Sequence, residues 1–174
     1  MLFENLFSLQ LKVSASGLET PSVAAPLVVV VGASGDIGGA VAYQLHRKGF
    51  RLVLTHSPTG KPRDALQGIG FWYEVDVCDA DQVSSMAKAV ALQHGQVHAV
   101  VYCAGITGDA AVARITDEGW RQIIDTNLSG AFYFIRSFAS DLMAASGSVV
   151  LIGSVAASKG TAGQLGYERL PTLA

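Results

Sequence analysis

Residues 27–38 read Leu-Val-Val-Val-Val-Gly-Ala-Ser-Gly-Asp-Ile-Gly. The unbroken apolar run Leu27 to Val31 predicts a strand buried on both faces, as the strands of a parallel sheet are. Ile37, Val41 and Leu45 then recur at helical spacing, and Gly49 stands where a helix C′ glycine belongs. A strand, a glycine turn and a helix in direct succession suit a nucleotide phosphate. Gly32 permits the tight turn, Gly35 brings backbone close to a diphosphate, and Gly38 lets the helix pack closely. The helix N-terminus adds N–H donors and a partial positive charge.

Outward from this stretch the pattern repeats. Arg51–Thr55, Phe71–Val75, His98–Tyr102 and Ser148–Ile152 read as four more strands. The Pro- and Gly-bearing stretch from His56 to Gly70 predicts a loop with a short, weakly signalled helix. Asp79 with Gln82 three residues later marks a capped helix whose buried face is Val83, Met86, Ala87, Val90 and Ala91. Thr116 starts a long helix through Trp120, Ile124, Leu128, Phe134 and Phe138 to about Met143. Five strands alternating with helices predict an α/β fold, a Rossmann-type doubly wound parallel sheet with strand order 3-2-1-4-5. Ligands are then expected above the carboxyl ends of the strands. Residues 27–167 form this domain, 1–26 a loosely held extension and 168–174 an atypical tail; on the C-terminal side the sheet reads as incomplete.

Composition narrows the classes. Half of the 174 residues are hydrophobic and 15% are charged, which suits a sheet covered on both faces. A net charge of −2 and the lack of a Lys/Arg cluster argue against nucleic acid. No apolar stretch reaches the roughly 20 residues that span a bilayer, and residues 1–26 lack a basic n-region, so no membrane is expected and the cytoplasm is. Cys78 and Cys103 show no metal-type spacing and read as reduced thiols. His46, His56, His94 and His98 form no ligand signature, so no metal is expected.

Other strand ends carry suitable chemistry. Asp76 follows the third strand and could accept from an adenine amine; Ala104-Gly105 follows the fourth and leaves room for a ribose or nicotinamide. Asn127 sits inside a helix, where an amide is a mediocre helix former and needs a reason. Ser154 and Tyr167, 13 residues apart, suggest a carbonyl being reduced.

Together these residues resemble the short-chain dehydrogenase/reductase family from about Leu27 to Tyr167. Gly32, Gly35 and Gly38 match its glycine turn, with Asp36 where the middle glycine usually falls. Tyr102-Cys103-Ala104-Gly105 stands for its Asn-Asn-Ala-Gly element, and Asn127, Ser154 and Tyr167 match its catalytic positions. The stretches Ala104-Gly105-Ile106-Thr107-Gly108-Asp109 and Trp120 through Asn127, with Gln164, are similar to 3-oxoacyl-acyl-carrier-protein reductases. Acetoacetyl-CoA reductases share much of this pattern.

The resemblance implies a dinucleotide held by Gly32, Ser34, Gly35, Asp36, Ile37 and Gly38 of the turn. His56 and Ser57 would join from the second strand, Asp76 and Val77 from the third, and Cys103, Ala104 and Gly105 from the fourth. Tyr167 would protonate a keto oxygen that Ser154 hydrogen-bonds, Asn127 would hold a water in a proton relay, and Gln164 would touch the substrate. The substrate implied is a 3-oxoacyl group on acyl carrier protein or CoA, and an intact parent is implied to be a homo-oligomer. His56 and Ser57, with Lys61 and Arg63 soon after and no carboxylate before Asp64, favour NADP(H) over NAD(H). The family's lysine four residues after the tyrosine is replaced by Pro171. An unperturbed tyrosine titrates near 10, and lowering that by roughly three units corresponds to about 4 kcal/mol. The chain is therefore expected to be a fragment with little or no turnover; a non-catalytic nucleotide-binding partner subunit, or a dehydrogenase of another alcohol, are the alternatives.

Overall fold

The computed structural model describes residues 22, 24–108 and 112–154. Five strands form one parallel sheet: β1 (Leu27–Val31), β2 (Arg51–His56), β3 (Phe71–Glu74), β4 (Val97–Tyr102) and β5 (Ser148–Leu151), in the order β3-β2-β1-β4-β5. This is the order expected from right-handed crossovers. β1 is central, pairing Leu27 with Arg51 on one side and Val31 with Tyr102 on the other.

All five residues of β1 are buried, and their alternation feeds two cores. Leu27, Val29 and Val31 pack with Val83, Met86, Ala87 and Val90 of helix α2 (Ala80–His94) and with Ala131, Phe134, Phe138 and Leu142 of helix α4 (Gly130–Ala144). Val28 and Val30 pack on the opposite face with Ala42 of helix α1 (Asp36–Arg47), Phe50, Leu52, Leu54 and Leu66. Each such fully buried aliphatic side chain contributes about 1.5–3 kcal/mol of transfer free energy. The unbroken apolar run at Leu27 thus reflects a strand with two interiors to fill.

The helix termini follow local chemistry. α1 ends with Gly49 at φ +83°, whose amide reaches the His46 carbonyl. Asp79 caps α2 by accepting from the amides of Asp81 and Gln82, and the Gln82 side chain reaches past the cap to accept from the Asp76 amide. Thr116 caps helix α3 (Asp117–Ile124) through the Gly119 amide.

Several details differ from the sequence expectation: β2 runs one residue further, to His56, and β3 and β5 end one residue earlier, at Glu74 and Leu151. β4 begins at Val97 rather than His98, where the Asp141 carboxylate accepts the Val97 amide. The weak helix between His56 and Gly70 is a single 3₁₀ turn, Asp64–Leu66, in a stretch whose Pro and Gly content disfavours more. The long helix from Thr116 is not continuous. Between α3 and α4 the chain widens into a π turn, Asp125–Ser129, which contains Asn127.

Candidate functional site

At the carboxyl edge of the sheet, the turn after β1 is shaped by side chains that are missing. Gly32 has φ +77°, and a Cβ there would lie 2.8 Å from the Ala104 amide nitrogen. A Cβ on Gly38 would intrude on the Gly32 carbonyl group. The turn therefore rests directly on the end of β4, and α1 rests directly on the turn. Gly35 differs: a Cβ there would meet only the Gly32 carbonyl oxygen, at 3.4 Å, so the space above it is open. These are the properties of a cradle for a diphosphate, with Asp36 and Ile37 opening the helix beside it.

Side chains from β2 complete the cradle. The hydroxyl of Thr55, 1% exposed, accepts from the Gly32 amide at 3.0 Å, satisfying a donor that the turn takes out of the sheet ladder. In the sequence Thr55 marks the strand end and, with His56 and Ser57, a place where no carboxylate falls; a hydroxyl inside an apolar run was the available signal for its bond to the turn. His56 and Ser57 follow, the His56 Nδ1 bonding the Ser57 carbonyl at 2.9 Å. Arg63 returns across the turn: Nη2 donates to Asp36 Oδ1 at 2.6 Å and Nη1 to the Gly35 carbonyl at 3.1 Å.

After β3, Asp76 Oδ1 accepts from the Cys78 amide at 2.9 Å, fixing the loop through Val77. Gly130 lets α4 approach this loop, since a Cβ there would meet the Val77 carbonyl at 3.0 Å and the Tyr102 hydroxyl.

The segment after β4 is joined to the π turn by paired hydrogen bonds. Asn127 Oδ1 accepts from the Ile106 amide at 2.8 Å, and Asn127 Nδ2 donates to the Ile106 carbonyl at 2.9 Å. One residue earlier, the Tyr102 hydroxyl donates to the Thr126 carbonyl at 2.5 Å. A π turn departs from the regular helical ladder, and the Tyr102 hydroxyl reaches into this one with a donor from the end of β4. Burial, followed by the nearby Cys78 and Asp76, raises the Tyr102 phenol well above its ordinary value, so it remains a donor. Nothing in the sequence pattern signalled this role, because Tyr102 and Thr126 meet only in the folded chain. Cys103 is pushed up to about 11 by burial and is a protonated thiol at neutral pH.

β5 ends at Leu151, and the Ile152 amide donates to the Tyr102 carbonyl at 3.0 Å, directing the chain past the same edge to Ser154. The glycine turn, Asp76, Ala104-Gly105, Asn127 and Ser154 all follow strand ends, or contact segments that do, on this one edge. Tyr167, Gln164 and Pro171 lie outside the described residues. Among the described residues no set of metal-ligating side chains comes together, and no helix is long and apolar enough to cross a membrane.

Comparison with known proteins gives the edge a context. The family described as short chain dehydrogenase matches residues 26–168. The 3-oxoacyl-[acyl-carrier-protein] reductase FabG of Staphylococcus aureus is 32% identical over 147 residues, covering 80% of this chain and 60% of its own. The reductase MabA of Mycobacterium bovis, with the same activity in its name, is 33% identical over 141 residues, covering 80% and 55%. Among solved structures, ligand-free aldohexose dehydrogenase of Thermoplasma acidophilum superposes with a TM-score of 0.76 at 27% identity, covering 84% of this chain and 56% of its own. A short-chain type dehydrogenase/reductase from Mycobacterium ulcerans gives 0.73 at 26%, covering 83% and 57%. The chain thus spans 60% or less of the length of each of these relatives.

Proposed function

The chain belongs to the short-chain dehydrogenase family of oxidoreductases, and from that premise we propose that it serves the NADP(H)-dependent reduction of a 3-oxoacyl thioester to the 3-hydroxyacyl thioester. One observation carries the reading: the glycine turn seated on Ala104 and the π turn bearing Asn127 meet at a single sheet edge, through Ala104-Gly105-Ile106. The names of the curated relatives support the acyl substrate, on acyl carrier protein or CoA.

When bound, the nicotinamide would supply a hydride to the keto carbon. The chain's own residues have separate tasks. The turn from Gly32 to Gly38 holds the diphosphate by backbone N–H groups, and Asp76 and Val77 flank the adenine side. Negative charge growing on the keto oxygen is met by a hydrogen bond from Ser154 and a proton from Tyr167. Both amide atoms of Asn127 bond the Ile106 backbone, so it fixes the loop beside the nicotinamide subsite and keeps its remaining donor and acceptor capacity for a water. Exposed Phe132 and the Arg136 guanidinium, 5.0 Å from its ring, offer α4 as the surface for a homo-oligomer.

Pro171 favours a second reading, dinucleotide binding without turnover, because the cation that would lower the Tyr167 pKa is replaced. NADPH binding and NADPH oxidation with acetoacetyl-CoA, measured on the purified 174-residue chain, test both. Binding with turnover supports the reductase; binding alone supports the second reading. Absence of binding overturns both, and turnover of a sugar or steroid alcohol without the thioester overturns the substrate class.

A further inference from the structure

At the amino ends of the strands, three aromatic rings meet where the outermost strand faces the end of a helix. Among the described residues β3 pairs with β2 alone, so its far side is an edge of the sheet. Phe71 and Tyr73, two apart in β3, lie on one face of it. Both reach His94, the last residue of α2. The Phe71 ring stacks on the imidazole with centroids 3.9 Å apart and planes 19° from parallel, and the Tyr73 ring meets it edge-on at 6.0 Å. The Tyr73 hydroxyl lies 2.9 Å from His94 Nε2 and donates to Gln93 Oε1 at 3.0 Å. Its one proton is thereby spent, so Nε2 carries the imidazole hydrogen and Nδ1 of the neutral ring is bare.

Arg51, the first residue of β2, completes the cluster. Its Nη2 donates to the His94 carbonyl at 3.0 Å, one of the carbonyls that a helix end leaves without an amide. The guanidinium is therefore tied beside the ring. A helix C-terminus and an aromatic face each favour a charged histidine, by up to about 1 kcal/mol. Here the balance runs the other way: burial first, and then Arg51, hold the His94 imidazole below its ordinary value of 6.5. Arg51 from β2 and Tyr73 from β3 are the titratable groups that face it, and burial raises the Tyr73 phenol, which stays neutral.

We infer that Phe71, Tyr73 and His94 form an acid-sensitive clasp, which fastens the outer strand of the sheet to the end of α2 and opens when the imidazole takes a second proton. The inference stands apart from the dinucleotide reading, whose residues lie at the carboxyl ends of the strands. A proton on Nδ1 puts a partly buried positive charge beside a guanidinium that the helix end holds in place. The ring relieves both costs by turning to solvent, and β3 then loses the Phe71 stack and the Tyr73 bond together. A four-residue strand paired on one side has little else to hold it. The folded value lies below the unfolded one, so the contribution of the clasp is complete above the unfolded value and lost as pH falls through the folded one.

Hydrogen exchange of the full chain, resolved by peptide and corrected for the intrinsic effect of pH, tests this between about pH 7.5 and 5. Residues 71–74 should lose protection as pH falls, whereas 97–102, the β4 strand inside the sheet, should keep it. His94→Gln leaves a side chain that can donate to Tyr73 but cannot take a charge, so protection of β3 should no longer depend on pH. Arg51→Gln removes the neighbouring cation, so the loss should shrink. Protection of β3 that ignores pH in the unaltered chain overturns the inference. So does a loss that survives in His94→Gln, one undiminished in Arg51→Gln, or one that β4 shares, since the sheet as a whole would then be responding.

Discussion

Around Gly32 the site is shaped by what side chains leave out, whereas around Asn127 it is shaped by what side chains reach. In the first region backbone rests on backbone: Gly38 on Gly32, and Gly32 on Ala104. In the second, a departure from regular helix is held open by the Tyr102 hydroxyl and the Asn127 amide. The difference teaches that the glycine turn is intolerant of an added atom where backbone meets backbone, at Gly32 and Gly38, while the π turn is sensitive to the loss of particular polar ones.

The largest expected effect tests the first half. Gly38→Ala places a methyl against the Gly32 carbonyl with only backbone around it, and should cost about 3 kcal/mol in urea unfolding. NADPH binding should fall with it. An unchanged midpoint would mean that the turn is not close-packed, and the contrast between the regions would collapse. Next comes Tyr102→Phe, which leaves the Thr126 carbonyl without its donor and should cost about 2 kcal/mol. Stability should suffer more than NADPH affinity; a loss confined to affinity would show the two regions to be one unit.

The smallest effect provides a control away from the edge. The Asp79 carboxyl is held below its ordinary value of 3.8, chiefly by hydrogen bonds from Gln82, backbone first. Its folded value is lower than its unfolded one. The stabilisation is therefore complete above the unfolded value and lost as pH falls through the folded value. Relative to Asp79→Asn, the unaltered chain should lose stability only below about pH 4, with NADPH binding at neutral pH the same in both. A difference that persists unchanged into acid would remove the carboxylate from the account of the α2 cap.

The contrast also explains what could be read from the sequence. The strand order and the glycine turn were legible because each depends on local composition: a Val run for a doubly buried strand, glycines at a fixed spacing, Asp79 and Gln82 at a helix start. Asn127 was singled out as an amide that a helix has no use for, and its partner proved to be Ile106, 21 residues away. The break in the helix around it was not legible, since a π turn is selected by partners such as Tyr102 that the fold alone brings near. The same holds for Arg63. Its place after the second strand reads as favouring NADP(H), but its position over Gly39 depends on how β2 and α1 lie side by side.

The seating of Gly32 on Ala104 has a consequence for the order in which the chain folds. β1, β2 and β3 can pair as soon as the first third or so of the domain has been made, joined by short crossovers. The other flank of β1 stays open until β4 arrives, paired through Leu27 and Val97 across 70 residues of chain. Contacts of that separation form late and slow a domain's folding. The floor of the phosphate cradle is thus among the last surfaces to be completed, and a dinucleotide in the surrounding solution has little to grip on a nascent chain. Binding would act on the finished domain, slowing its opening rather than guiding its assembly.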